Sequence, residues 1–210
     1  KSTDTLWPHT GVILAGGQSR RMGQLKEGVL MADGRPMIAH VLDAVGAVCQ
    51  RVAVAGSCSG FSLPDHVAHL LDMHPGLGPL SGLETLLHSG LDSQYLVVTC
   101  DQPCLTPDTL GRLVKSALPN GLVFYKSGHG QTFDPFPGIY PAWWAPTVAN
   151  ALAQGQYSPR QLIQDSPPET VQWVVIPDNQ QFQLLSINTP EELTLVNSAN
   201  HRLFFKDSPP

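Results

Sequence analysis

The sequence predicts a single α/β domain built on a mostly parallel sheet, and three observations carry that expectation. From Gly11 to Gly56 the chain passes through a short apolar run (Gly11–Leu14), a glycine loop, an amphipathic stretch and a second apolar run (Arg51–Gly56). That is the order of a strand–helix–strand unit. Tyr95–Thr99, YLVVT, is apolar and β-branched almost throughout, as a strand covered on both faces must be. The 19 glycines and 19 prolines among 210 residues fall between such segments instead of forming a block, so they punctuate one loop-rich domain and mark no linker. The expected limits are an N-terminal extension over residues 1–10, the domain over 11–200 and a frayed tail over 201–210.

Composition narrows the function classes. With 17 acidic residues against 12 Lys and Arg, the formal charge is −5, which excludes a protein that coats nucleic acid, because that surface needs a basic stripe. The opening KSTDTLWPHT lacks the apolar run of a secretory leader, and no uncharged apolar stretch is long enough for a membrane helix. A cytoplasmic protein without a membrane partner is expected. Cys49, Cys58, Cys100 and Cys104 form no Cys-x-x-Cys pair and are too sparse for a disulfide scaffold, which predicts reduced, buried thiols.

Each element has a local reason. Gly11–Leu14 runs into Ala15-Gly16-Gly17, where two residues without side chains let the backbone turn tightly and bring N–H groups close to an anion. Arg20, Arg21 and Lys26 follow within ten residues and supply positive charge. No Gly-Lys-Ser/Thr closes the loop and no Gly-x-Gly-x-x-Gly occurs. Locally it reads equally as a phosphate cradle or as an ordinary strand-to-helix connection. Gly28–Met31 is short and apolar, Asp33-Gly34 turns, and Pro36 opens a helix whose Met37, Ile38, Val41, Leu42 and Val45 share a face. Val67–Leu71 predicts a third strand ending at Asp72. MHPGLGPLSGLETLL then forces an irregular loop before Leu80–Leu87 resumes helical spacing. Alone it reads as a crossover turn, although its helix start also offers backbone donors.

After Tyr95–Thr99 comes Cys100-Asp101-Gln102-Pro103. A carboxylate at the carboxyl end of a central strand lies where open α/β sheets bind ligands, which makes Asp101 a candidate metal or substrate contact. The alternative, capping the next helix, competes with Thr106 before Pro107, a better cap. A helix over Pro107–Ala117 leads to a strand at Gly121–Lys126, and SGHGQTFDPFPGIYP leads to a short strand around Gly138–Tyr140. Trp143 and Trp144 open a helix with Val148 and Leu152. Pointing to different faces, they favour core or subunit contact over stacking of a heterocycle. A short helix around Arg160–Ile163, a strand at Val171–Ile176 and a polar connection precede SINTPEELTLVNSA, in which Thr189, Pro190 and Glu192 spell a capped helix start.

None of the eight histidines stands in a His-Glu-x-x-His or Cys-x-x-Cys setting, and no Gly-x-Ser-x-Gly elbow is present, so zinc and hydrolase chemistry lack support. Phosphate chemistry has it. The glycine loop with Arg20, Arg21 and Lys26 forms the positive side, and Asp101 could hold a Mg²⁺ that bridges phosphate oxygens. Such a transfer needs aligned reactants and neutralised charge more than a general base.

LAGGQSRRMG, GPLSGL, CDQP and INTPEEL occur in the order and approximate spacing seen in molybdenum cofactor guanylyltransferases, and FDPFPGIYP resembles that family's proline-rich segment. The likeness spans about residues 11 to 200. The resemblance implies a Rossmann-like nucleotidyltransferase fold of the nucleotide-diphospho-sugar-transferase type, with helices on both faces of the sheet. It implies an enzyme that uses Mg²⁺ to transfer GMP from GTP to molybdopterin with release of pyrophosphate, GPLSGL being the feature that favours guanine. By the same resemblance Leu14, Ala15, Gly16, Gly17 and Arg20 hold the nucleotide, Arg21 and Lys26 steady the triphosphate, and Asp72 contacts the nucleotide. Gly82 belongs to a second glycine loop, Asp101 ligates Mg²⁺, and Ser186 and Asn188 face the acceptor. Two positions depart from the family: its Asp-Lys is Lys26-Glu27 here, and the asparagine two residues before Asn188 is Ser186. The guanine preference rests on GPLSGL by resemblance, so transfer from another nucleoside triphosphate, as in cytidylyl- or sugar-nucleotide transferases, stays open. The Lys26-Glu27 order leaves open a degenerate accessory protein that binds nucleotide or molybdenum cofactor without turnover. A molybdoenzyme or cofactor-synthesis protein is the implied protein partner.

Overall fold

The computed structural model describes residues 6–16, 28–128 and 132–204. In chain order the elements are β1 (Trp7–Ala15), α1 (Met37–Gly46), β2 (Cys49–Gly56), β3 (Ala68–Leu70), α2 (Pro79–His88), β4 (Gln94–Thr99) and α3 (Pro107–Lys115). They are followed by β5 (Leu122–Ser127), β6 (Phe133–Pro141), α4 (Ala145–Ala153), α5 (Pro159–Gln164), β7 (Val171–Ile176) and α6 (Pro190–Phe204). Among the described residues the strands form a seven-stranded sheet in the order β3-β2-β1-β4-β6-β5-β7. β3, β2, β1 and β4 are mutually parallel, β5 and β7 are parallel, and β6 is antiparallel to both neighbours. This is the mostly parallel α/β sheet that the sequence predicts.

Alternation along the strands explains the layers. Ile13 and Ala15 of β1 pack with α1 and α3 on one face, while Val12 and Leu14 pack with α2, α4 and α5 on the other. β4 divides the same way, Leu96 and Val98 against Tyr95 and Val97, and so does β5, Val123 and Tyr125 against Leu122 and Phe124. A strand covered on both faces needs apolar side chains at every step, hence the unbroken apolar runs. Full burial of a side chain such as Ile13 contributes about 1.5–3 kcal/mol. A third cluster joins Val29, Met31 and Met37 to Cys104, Ile187 and Val196, which seats α6 beside the start of α1. Trp144 is core, packed on Tyr140, whereas Trp143 is exposed and donates its indole N–H to the Asn120 carbonyl at 2.8 Å.

Several boundaries differ from expectation. β1 begins at Trp7, inside the expected extension, because Trp7 N–H donates to the Val48 carbonyl and the polar His9 and Thr10 are satisfied by Asp92. α6 runs to Phe204, past the expected limit at residue 200. The short strand around Gly138–Tyr140 is nine residues long despite three prolines. Pro141 ends the strand, and Pro135 and Pro137 lie where the ladders on both sides are interrupted, so no missing N–H is called upon. The four cysteines are buried, and no helix among the described residues is long and apolar enough to cross a membrane.

Candidate active site

From β1 the chain builds outward through β2 and β3, then returns to place β4 on the other side of β1. A reversal of that kind opens a crevice beyond the carboxyl ends of the two strands. A cavity of about 720 Å³ lies there, within the size range of small-ligand sites. Leu14, Ala15 and Gly16 form one wall. Gly16 has φ +95°, and a Cβ on it would stand 3.2 Å from Ser57 N, so this turn is built for glycine.

The opposite wall comes from the segment between β3 and α2. Its residues Asp72, Gly76 and Gly78 line the cavity, as do Pro79 and Gly82 at the start of α2, which brings the positive end of that helix to the site. The segment is folded back on the helix: Ser81 Oγ donates to the His74 carbonyl at 2.6 Å, Met73 N–H to Thr85 Oγ1 at 2.9 Å, and His74 Nδ1 meets Glu84 Oε2 at 2.8 Å. Gly82, expected in a loop, is instead inside α2. It is small for a packing reason, because a Cβ there would sit 3.3 Å from Leu14 Cδ2 and 3.6 Å from Asp72 Oδ1. Asp72 Oδ1 is buried and has no hydrogen-bond partner among the described residues, and burial raises the Asp72 pKa above its ordinary value. An acceptor left so is stabilised by an N–H or O–H from a ligand.

Asp101 is fixed from three directions. Thr99 Oγ1 donates to its Oδ1 at 2.6 Å, Ile187 N–H donates to its carbonyl at 2.8 Å, and the next residue, Gln102, is wholly buried. Gln102 Oε1 accepts from Thr99 N–H at 3.2 Å, and its Nε2 donates to the carbonyls of Phe136 at 2.9 Å and Leu184 at 3.0 Å. One amide thus ties the Asp101 turn to β6 and to the segment before α6. Thr106 caps α3, accepting from Thr109 N–H, which leaves Asp101 to the cavity. Ser186 and Asn188 line the same cavity. Their segment is held by the predicted capping box: Glu192 Oε2 accepts from Asn188 and Thr189 N–H, and Thr189 Oγ1 accepts from Glu192 N–H.

The structure adds Asp134, which the sequence reading did not single out. It lines the cavity from β6 and faces a second recess of about 240 Å³ that carries Lys126 and Arg160. Burial raises the Asp134 pKa, the nearby Asp101 charge adds to the rise, and Arg160 opposes it. The only local signal was an Asp at the head of a proline-rich run. The Arg160 guanidinium stands 5.1 Å above the Phe133 ring, and Ser186 belongs to both recesses. Gly17, Arg20, Arg21, Lys26 and Glu27 lie outside the described residues. Among the described residues the main cavity carries Asp72, Asp101 and Asp134 and no Lys or Arg. Asp101 and Asp134 are hard oxygen donors of the kind Mg²⁺ takes. No cluster of three or more metal-binding side chains occurs among the described residues, but Mg²⁺ uses one or two carboxylates and completes its shell with water and phosphate. The residues fit such an ion.

The fold is one that solved nucleotidyltransferases share. Residues 11–171 match the MobA-like NTP transferase domain, and the chain belongs to that family. A probable molybdenum cofactor guanylyltransferase of Rhodopirellula baltica is 29% identical over 196 residues, covering 89% of this chain and 90% of the relative. One from Mycobacterium ulcerans is 32% identical over 188 residues, covering 87% and 90%. The crystal structure of molybdopterin-guanine dinucleotide biosynthesis protein A from Archaeoglobus fulgidus superposes with a TM-score of 0.74 at 19% identity, covering 92% of this chain and 100% of that one. The resemblance drawn from the four sequence motifs is borne out at the level of the family.

Proposed function

We propose that this protein is a Mg²⁺-dependent nucleotidyltransferase that moves GMP from GTP to molybdopterin and releases pyrophosphate. The observation that carries the reading is a cavity at the β1/β4 switch point, walled by the Gly16 turn and the start of α2 and bearing Asp101 at the strand end. It is supported by the names of the relatives. In this reading Asp72 Oδ1 accepts a hydrogen bond from the nucleotide, and the Gly16 turn and α2 start lie against its phosphates. A phosphate oxygen of the acceptor, entering past Ser186 and Asn188, forms the new bond to the α-phosphorus while the bond to the leaving pyrophosphate breaks. Lys126 and Arg160 in the adjoining recess give an anionic acceptor its counter-charge. A bound Mg²⁺ would supply neutralisation of the triphosphate, and in this reading Asp101 would be its ligand. The chain's own work is alignment and exclusion of water.

The test is pyrophosphate release from each of GTP, CTP, ATP and UTP with purified protein, Mg²⁺ and molybdopterin. Release with GTP, dependent on molybdopterin, is expected. Release with CTP but not GTP would replace the guanylyl assignment. GTP binding without release would leave a nucleotide-binding accessory protein.

A further inference from the structure

The stretch from Met73 to Pro79 walls the cavity, yet little within it holds its shape. Every residue of it is exposed. Gly76 and Gly78, which line the cavity, have φ +89° and +80°, and no atom lies within 4 Å of where a Cβ on either would stand. A backbone with so few neighbours has many conformations open to it. Its order comes from α2. That helix buries three polar side chains, Ser81, Glu84 and Thr85, and each bonds to Met73 or His74. Burial of a polar group is unfavourable unless it is hydrogen-bonded, so the three belong to what they hold.

Glu84 differs from the other two. Ser81 and Thr85 bond to backbone groups, which any residue at 73 or 74 offers, whereas Glu84 Oε2 meets the His74 side chain at Nδ1, 2.8 Å away. The Glu84 side chain is 7% exposed and that of His74 is 54% exposed, so a carboxyl seated deep beside the helix reaches out to a surface imidazole and draws the stretch inward. One turn away on either side, Leu80 and Leu87 are buried, and a carboxyl at this position of α2 serves no packing purpose that another leucine would not. Neither His74 nor Glu84 lines the cavity itself, whereas Gly76, Gly78 and Pro79 do. We propose that Glu84 is a positioning residue for the nucleotide: acting through His74, it holds residues 75–78 in the shape that receives GTP. Both residues lie outside the motifs that carry the family resemblance. The inference rests on the nucleotidyltransferase reading.

The test is calorimetry of GTP binding in the presence of Mg²⁺, paired with thermal melts, on wild type, Glu84→Leu, Glu84→Gln, His74→Ala and the double variant Glu84→Leu/His74→Ala. Leucine fills the place of the buried carboxyl, so the Tm of Glu84→Leu is expected within a few degrees of wild type. GTP affinity is expected to fall about tenfold, because the wall must then be ordered on binding. Glu84→Gln, which keeps a hydrogen bond to His74, should recover part of that loss. His74→Ala should match Glu84→Leu, and the double variant should bind no more weakly than either, since both act through one contact. Wild-type affinity in Glu84→Leu and His74→Ala would overturn the inference and leave the nucleotidyltransferase reading standing. Losses that multiply in the double variant would overturn it too, by showing that the two residues act separately. If Glu84→Leu does not fold, His74→Ala and Glu84→Gln decide on the same terms, wild-type affinity in both overturning the inference. A wild type that binds no GTP would overturn both the inference and the reading.

Discussion

Asp72, on the cavity wall, and Gln102, wholly buried next to Asp101, spend their hydrogen-bonding capacity in opposite ways. Gln102 uses its acceptor and both amide hydrogens within the protein, whereas Asp72 keeps a buried oxygen without a partner among the described residues. Burial raises the Asp72 pKa above 3.8. A raised folded-state value means that the group's stabilisation is complete below the unfolded value and is lost as pH rises through the folded one, so ionised Asp72 costs stability at neutral pH. Asp72→Asn is therefore expected to stabilise the nucleotide-free protein by about 1 kcal/mol, a rise of a few degrees in Tm. The same substitution is expected to weaken GTP binding about tenfold, as loss of a charge-assisted hydrogen bond does. Thermal melts and calorimetry measure the two effects. Gain in Tm with unchanged GTP affinity would remove Asp72 from the nucleotide contacts. Asp101 was legible in the sequence because the end of an apolar central strand is a place readable from local pattern. Asp134 was not, because its position depends on two neighbouring strands distant in sequence.

At the scale of elements, the strands β1, β2, β4, β5 and β7 and the helices α1 to α6 follow from short-range periodicity and caps. β6 escaped in most of its length since prolines read as a break, and what makes them tolerable is the interruption of two ladders formed with distant partners. The start of β1 was hidden for a similar reason, its polar residues being satisfied by a carboxylate 82 positions away. The paired ends of β1 and β2 place another constraint on the site that the motifs did not reveal. Gly56 has φ +105°, and a Cβ on it would lie 2.0 Å from the Ala15 carbonyl oxygen, so the side-chain-free backbone there is what lets β1 turn at Gly16. Gly56→Ala should cost about 3 kcal/mol, from strain and the forced shift of Ala15. It should also weaken GTP binding, since Ala15 and Gly16 line the cavity. Urea unfolding reads the first effect, and a midpoint equal to wild type would show that β2 can pull away from β1 without penalty.

Across the whole molecule the sheet carries its chemistry at one end and an ionic knot at the other. Asp92, just before β4, accepts from Arg51 Nη2 at 2.6 Å, from His9 Nδ1 and Ser93 N–H at 2.8 Å, and from Thr10 N–H and Oγ1 at 2.9 and 3.0 Å. It thereby joins β1, β2 and β4 at the ends remote from the cavity. Burial opposes its ionisation, yet the hydrogen bonds from His9 and Arg51, with those from Ser93 and Thr10, outweigh that and hold the carboxyl far below 3.8. A depressed folded-state value acts opposite to that of Asp72: the stabilisation is present above the unfolded pKa and drains as pH falls through and below it. Asp92→Asn is expected to cost about 2–3 kcal/mol at pH 7, the scale for removing one partner of a nearly buried, hydrogen-bonded charge. The gap between variant and wild type should narrow as pH falls below about 4, where the wild-type advantage begins to disappear. GTP affinity should stay within about twofold, because sites this far apart with no shared partner act independently. Urea unfolding at pH 7, 5 and 3 with calorimetry at pH 7 tests the three statements together. A constant gap across pH would show that Asp92 stabilises by packing and not by its charge. A tenfold loss of GTP affinity in the folded variant would instead show that strain at the knot end travels along β1 and β4 to the cavity.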